Sequence, residues 1–405
     1  MKTAVKIGII KEGKTPPDSR VALKPKDIIE LQNQYPQFEF EVQASVGRCI
    51  PNEAYQSLGI KIVEDVQDCD ILLGVKEVPY TQLIPNKTYF FFSHTIKEQP
   101  YNQNLMQALI QQNIRMIDYE TLVDKNQKRL IGFGFYAGVV GAHHALMMYG
   151  KRTEQYFLLP AKDCLDYEEM IQQYKNIHLP QCKIVLTGTG KVAQGSRKVL
   201  EDAGIKFVSP EEYLTQDFDE AVFTHLTTAY LYKDANGNFD KADFYQFPEK
   251  YTSAFLPYAA QTDILINGIF WNESMPRLFE TEDIQQAQFS IKSIADISCD
   301  ILGSVPINTR ASSIADPVYA IDKTSLNEVA PYQNISTTID LMTVDNLPNE
   351  LPRDASEGFS QVMKTIILPE LLKEESAILE DATICENGNL CPKFEYLHQY
   401  AFETV

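Results

Sequence analysis

The sequence predicts an α/β protein built from two Rossmann-like, doubly wound parallel-sheet domains. Three observations carry this. Residues 183–187, KIVLT, are a β-branched run that breaks at Gly188-Thr189-Gly190 and gives way to a helical pattern over 191–203. The first 135 residues alternate strand-like and helix-like segments, as a parallel sheet covered by helices requires. A length of 405 residues supplies material for two or three domains.

Composition excludes several functions. A net charge of −19 argues against nucleic acid or an anionic membrane as partner, although a locally basic cleft would still take an anionic small molecule. Seven cysteines, at 49, 69, 164, 182, 299, 385 and 391, include no CxxC pair, and such an odd, unpatterned set fits reduced thiols. Cys385 and Cys391 have only His398 nearby, so no metal site is expected. The opening MKTAVKIGIIKEG has an apolar run too short for a signal peptide, and no spanning segment is evident. A cytoplasmic protein is the expectation.

Taken in order, residues 5–10, 38–42, 60–63, 70–75, 89–93 and 115–119 read as strands, and 25–34 and 102–112 as helices, with Pro25 suited to a first turn. In a parallel sheet, functional side chains gather beyond the carboxyl ends of the strands. Three such ends carry unusual polar residues. One run closes in Lys76-Glu77, the next in Ser93-His94 followed by Lys97 and Gln99, and the third in Glu120, with Arg129 before the stretch GFGFYAG. Each alone would be a solvated loop charge; three in succession predict a pocket.

A helix is expected through GAHHALMMYGKRTEQYF after Gly138, with Met147-Met148 in the core and His143-His144 packing or capping. Residues 161–181 read as a polar helix leading into the central strand. In the central unit, Gly188 permits the turn, Gly190 lets the backbone approach a pyrophosphate, and Ala193 takes the close-packing place of the third glycine. The N–H groups at the helix start, around Lys191 and Val192, would meet the anion. Residues 205–208 read as the second strand of the unit, ending at Ser209, where an acid would usually hold the ribose of NAD. Ser209 would not repel a 2′-phosphate, yet no arginine stands there to bind one. The cofactor is therefore NAD or NADP, with appreciable activity expected from NADP. Residues 227–260 read as an irregular aromatic insertion. Buried strands at 264–266 and 293–297 end at Asn267-Gly268 and at Asp296 and Asp300, further cofactor-binding candidates. Residues 345–348 form a turn, a last helix covers roughly 356–374, and the stretch from Asp381 looks irregular and then briefly helical.

The motifs GVKEVP (74–79), FFSHTIKEQ (91–99), IDYE (117–120), GFGFYAG (132–138), LTGTGKVAQG (186–195), PEKYTSAF (248–255), INGIFW (266–271) and DNLPNELPRDAS (345–356) resemble those of the lysine-forming saccharopine dehydrogenases. The middle segments are most similar to the lysine–ketoglutarate reductase domain of the bifunctional lysine-degradation enzyme, and GFGFYAG and DNLPNELPRDAS to the fungal single-function enzyme. Both groups lie within the alanine dehydrogenase–transhydrogenase superfamily. The resemblance implies a discontinuous substrate domain of residues 1–137 and 350–405, a dinucleotide domain of residues 138–349, and an inter-domain cleft. It implies an NAD(P)-dependent oxidoreductase acting on the CH–NH group, joining lysine and 2-oxoglutarate reversibly into saccharopine. By the same resemblance Lys76 and His94 match the acid/base pair, and Arg20, Lys97, Gln99, Glu120, Arg129 and Asp345 match positions that bind substrate or tune that pair.

That chemistry moves protons at nitrogen, at the carbinolamine oxygen and at water, and so needs two groups that trade them. Lysine titrates near 10.4 and histidine near 6.5, so Lys76 must be depressed or act as an acid. Burial or a cation such as Lys97 would depress it, and Glu77 would oppose this. Saccharopine carries three carboxylates, which Arg20, Arg129 and Arg353 could grip bidentately. Two alternatives compete: an alanine-dehydrogenase-like enzyme, in which Arg20, Lys76, His94 and Asp300 would serve pyruvate, and a nucleotide-binding regulatory protein without turnover. Ser209 departs from the fungal pattern, and the oligomeric state is open.

Overall fold

A computed structural model describes residues 4–403. The chain divides into two compact units, Met1–Phe133 with Pro352–Val405, and Gly134–Leu351.

The first unit is built on an eight-stranded sheet. In spatial order its strands are Lys61–Val63, Phe38–Gln43, Val5–Ile9, Ile71–Leu73, Thr88–Phe91, Arg115–Asp118, Thr383–Glu386 and Asn389–Leu390. The first six are parallel. The four inner strands Val5–Ile9, Ile71–Leu73, Thr88–Phe91 and Arg115–Asp118 are covered on both faces by the helices Pro25–Gln34 and Gln103–Gln111 and by the C-terminal helical run, which is why they read as apolar runs, whereas Phe38–Gln43 alternates, with Phe38, Phe40 and Val42 buried and Glu39 exposed. The order reverses between Val5–Ile9 and Ile71–Leu73, so a switch point opens at their carboxyl ends.

The end of the chain differs from expectation. Residues 383–386 form a strand antiparallel to Arg115–Asp118, turned back on Asn389–Leu390 through Asn387 and Gly388, with φ of 52° and 73°. An Asn-Gly pair with two positive φ values is a hairpin turn of the primed type. The last long helix starts earlier than 356, at Pro352, running to Val362 and then through a π segment, Met363–Ile367, to Glu370. Its Ser360 hydroxyl accepts from the backbone N–H of Lys24 (2.9 Å) and donates to Asp27 (2.6 Å), completing the start of the Pro25–Gln34 helix, which lacks a cap of its own.

The second unit also holds eight strands, in the order Glu328–Val329, Val318–Asp322, Thr338–Met342, Ser293–Asp296, Ile264–Asn267, Lys183–Thr187, Val222–Leu226 and Lys206–Phe207. The last six are parallel. Val222–Leu226, unforeseen in the sequence, lies beside Lys183–Thr187, and the strand that leads to Ser209 is displaced to the sheet edge. The strands at 318–342 were likewise not anticipated.

The helix Gly134–Thr153 begins inside GFGFYAG. It crosses the helix Lys191–Asp202 with backbones in contact. A Cβ on Gly138 would stand 1.8 Å from the Val192 carbonyl oxygen, and one on Gly195 would stand 1.9 Å from that of Phe135. Residues 161–181 hold a 3-10 turn, Ala161–Asp163, and a short α-helix, Tyr167–Gln172, continued by a 3-10 turn to Asn176, in place of one continuous helix. Residues 227–260 are more ordered than expected: Tyr232–Asp234 pairs with Tyr251–Ser253 around the stacked rings of Tyr232 and Phe244.

Candidate active site

In the first unit, Glu12 and Lys76 follow the two strands that flank the switch point. The Glu12 carboxylate accepts from the backbone N–H groups of Val75 (2.7 Å) and Lys76 (2.9 Å), so it fixes the turn on which Lys76 stands. Burial pushes Glu12 up to about 7, beyond what these two hydrogen bonds offset. The Lys76 ammonium is depressed, first by burial and then by the charges of Arg20 and Lys14. Lys97, considered above as the depressing cation, lies elsewhere, 3.5 Å from Glu120. Glu77 opposes the depression, and its own charge is shared with Lys14 at 2.7 Å.

His94 follows the adjacent parallel strand, Thr88–Phe91. Its φ of 55° is left-handed, a conformation that costs a non-glycine residue about 1 kcal/mol or more. The surroundings hold it there. Asp118 accepts from the backbone N–H and the hydroxyl of Ser93, and also from the backbone N–H of Glu120 (2.7 Å). One buried carboxylate thus ties the His94 turn to the Glu120 turn. The imidazole stacks on Phe92 at 6.3 Å, and its Nδ1 lies 3.4 Å from Glu120 Oε2. Burial alone would raise Glu120, but His94, Lys97 and Arg129 together hold it down at about 2. It is an anion at any physiological pH, fixed beside the His94 imidazole.

Arg20 is buried. It pairs with Asp18 (Nε to Oδ1, 3.0 Å) and lies 4.1 Å above the ring of Phe133. Arg129 reaches Glu120 at 3.0 Å. The Gln99 carbonyl accepts from Tyr400 at 2.6 Å. Arg353 is exposed, on the second residue of the Pro352–Val362 helix. Asp345 is also exposed, in the second unit, beyond the Thr338–Met342 strand.

In the second unit the glycine turn sits at the switch point between Lys183–Thr187 and Ile264–Asn267. Gly188 has φ +100°, and a Cβ there would meet the Gly268 carbonyl oxygen at 2.4 Å. A Cβ on Gly190 would meet nothing within 4 Å. With Lys191, Val192, Thr228 and Tyr232 these glycines line a groove of about 330 Å³ that opens at a helix N-terminus. Ala193 is fully buried, while the close helix contact falls on Gly195.

Asn267 and Asp296 face inward. Asn267 donates to Asp296 and to Ser304, each at 2.9 Å, and Asp296 also accepts from Ser298 (2.7 Å) and Asn308 (2.8 Å). Their side chains form a buried network under the strand ends. Asp300 stands half-buried in the following turn.

Ser209 is separated from the glycine turn by the Val222–Leu226 strand. Its hydroxyl and backbone N–H are engaged with Glu212 in a capping box. The strand end beside the glycines is instead Leu226-Thr227-Thr228, which carries hydroxyls and no charge. Sequence reasoning missed Glu12, Thr228, and His225, whose Nε2 lies 2.5 Å from the Gly188 carbonyl oxygen. Glu12 could have been found as a lone acid three residues beyond a buried strand. Among the described residues no group of His, Cys, Asp and Glu is arranged to hold a metal ion, and no helix is long and apolar enough to cross a membrane.

Comparison with known proteins places this geometry among relatives. The profile of the family described as alanine dehydrogenase/PNT, N-terminal domain, matches residues 8–140. The mitochondrial alpha-aminoadipic semialdehyde synthase of Mus musculus is 30% identical over 94% of this chain and 46% of its own length. The chain thus spans about half the length of that relative. The L-lysine-forming, NAD(+)-named saccharopine dehydrogenase of Neurospora crassa is 26% identical, over 88% of this chain and 87% of its own. Among solved structures, an L-alanine dehydrogenase superposes with a TM-score of 0.62 at 14% identity, covering 97% of this chain and 99% of its own. The transhydrogenase of Sinorhizobium meliloti gives 0.58 at 12% identity, over 95% and 99%.

Proposed function

We propose, from the premise that the chain belongs to the alanine dehydrogenase–transhydrogenase superfamily and to its saccharopine-dehydrogenase-like branch, that it is an NAD(P)-dependent oxidoreductase that reversibly joins lysine and 2-oxoglutarate into saccharopine. The observation that carries this reading is the pairing of Lys76 and His94 beyond adjacent parallel strands at the carboxyl edge of the first sheet. One is a depressed ammonium and the other an imidazole beside a permanent carboxylate.

In the condensing direction a base takes a proton from the lysine ε-ammonium, which then attacks the keto carbon of 2-oxoglutarate. An acid protonates the carbinolamine oxygen, which leaves as water and gives the imine. Lys76, depressed by burial and by the charges of Arg20 and Lys14, can hold a proton at that oxygen and release it. His94, oriented by Glu120, can take the proton from nitrogen. Arg20 and Arg129 supply cationic partners for substrate carboxylates, while Asp18 and Phe133 fix the plane of the Arg20 guanidinium.

The residues of the glycine turn suit a dinucleotide: Gly190 leaves room for a pyrophosphate, and the N–H groups at Lys191 and Val192 open the helix. The nicotinamide, when bound, supplies or accepts the hydride. Thr227 and Thr228 at the neighbouring strand end favour acceptance of both NAD and NADP, since no carboxylate there opposes a 2′-phosphate.

Two substitutions test the reading. Lys76→Met and His94→Gln should each lower turnover of lysine plus 2-oxoglutarate by about a hundredfold or more, with dinucleotide affinity nearly unchanged. The double variant should lose less than the product of the two losses. Near-wild-type turnover in both single variants would sink the mechanism.

A further inference from the structure

A second cavity, of about 180 Å³, lies in the second unit and shares no lining residue with the dinucleotide groove. Its walls are apolar: Met147, Leu158, Pro160, Ile314 and Pro317. Lys151 and Lys162, both exposed, also line it, and the Lys151 ammonium rests 3.9 Å above the ring of Tyr332 instead of on a carboxylate. Phe157 lines it as well, although the residue is 68% exposed. His144, of the His143-His144 pair, belongs to the lining but is 1% exposed. Its Nε2 stands 2.7 Å from the buried carboxylate of Glu350, while its Nδ1 and the second oxygen of Glu350 have no hydrogen-bond partner in the protein. Buried polar atoms are rarely left so, and those that are call for an explanation. His143, by contrast, is satisfied on both nitrogens, by Tyr174 and by the Leu159 carbonyl.

We propose that this cavity is a binding site for a small amphipathic carboxylate, its apolar body against Met147 and Ile314 and its carboxylate at Lys151 and Lys162. Apolar walls with cations among the lining select one charged end and one uncharged body. They do not suit 2-oxoglutarate or lysine, which carry charge at both ends. In a chain of net charge −19, the lining of this cavity includes two lysines and no Asp or Glu, and a carboxylate bound there gains from their charge. This site does not depend on the dehydrogenase reading.

Calorimetric titration of the full chain with straight-chain carboxylates from acetate to octanoate, and with octanol as the uncharged control, tests the proposal. Affinity should rise about fourfold for each methylene buried, until the cavity is full. Octanol should bind several-fold more weakly than octanoate. Lys151→Glu with Lys162→Glu should weaken octanoate by about fivefold or more, and Met147→Trp, which fills the cavity, should abolish binding while dinucleotide affinity is unchanged. Absence of saturable one-to-one octanoate binding would overturn the site. Octanol binding as tightly as octanoate, or undiminished affinity in the double lysine variant, would overturn the ligand class; neither result depends on whether the Met147 variant folds.

Discussion

Glu12 shows how much one side chain decides at this site. It bridges the N–H groups of Val75 and Lys76 with a carboxyl raised to about 7. The folded state therefore binds a proton that the unfolded chain, titrating near 4.5, gives up. The sign follows from linkage: this contribution is fully present below about pH 4.5 and is lost as pH rises through about 7, a change of up to about 3 kcal/mol. Glu12→Gln should remove the dependence, so that chemical denaturation of wild type and variant at pH 5 and pH 8 shows a smaller pH difference in the variant. An equal pH dependence in both would mean that Glu12 is ionised throughout. Lys76 behaves in the opposite sense, since burial disfavours its charge. The turn therefore places an acid that resists ionising beside a cation that readily gives up its proton.

At the scale of elements, the loop after Thr88–Phe91 depends on a distant part of the chain. Tyr396 donates to the Ile96 carbonyl (3.3 Å) and Tyr400 to that of Gln99 (2.6 Å). Left-handed Glu98 lies between these two carbonyls and left-handed His94 just before them, and such conformations persist only where the surroundings over-determine them. Tyr400→Phe should cost about 1 kcal/mol and lower turnover several-fold, with KM for the dinucleotide unchanged; a change confined to that KM would contradict the assignment. In the other unit, Gly190→Leu should abolish dinucleotide binding by calorimetry without lowering Tm, because no protein atom lies within 4 Å of its Cβ. Gly195→Val should instead lower Tm sharply, since its Cβ would overlap the Phe135 carbonyl. Legibility followed the same physics. The inner strands of the first sheet could be read as short apolar runs ended by polar residues, Phe38–Gln43 by its alternation, and the glycine turn by the break it makes after KIVLT. The strand at 383–386 was obscured by its shortness, although Asn387-Gly388 announced its hairpin. The early start of the Gly134–Thr153 helix was hidden by glycines that serve helix contact and not turns.

At the scale of the whole molecule, strand order is what the sequence conceals. Residues 205–208 were expected beside the glycine strand, since consecutive strands are neighbours about two-thirds of the time. Insertion of Val222–Leu226 moves Ser209 to the edge and brings Thr227-Thr228 to the glycines. Pairing across a sheet is set by tertiary packing and leaves no local mark. The candidate acid/base residues could be read because they sit at strand ends, whereas the hold of Glu12 on the Lys76 turn and the charge of Lys14 on Lys76 could not, since each joins residues far apart in the chain. Each sheet has its own switch point, with Lys76 beyond a flanking strand of the first and the glycine turn at that of the second. The most direct measurement is the rate of NADPH and of NADH oxidation by the full chain with lysine plus 2-oxoglutarate, set against pyruvate plus ammonia. Turnover is expected with the first pair, with saccharopine as product and measurable rates with both cofactors. Turnover with pyruvate and ammonia alone, or dinucleotide binding without oxidation of either cofactor, would contradict that expectation.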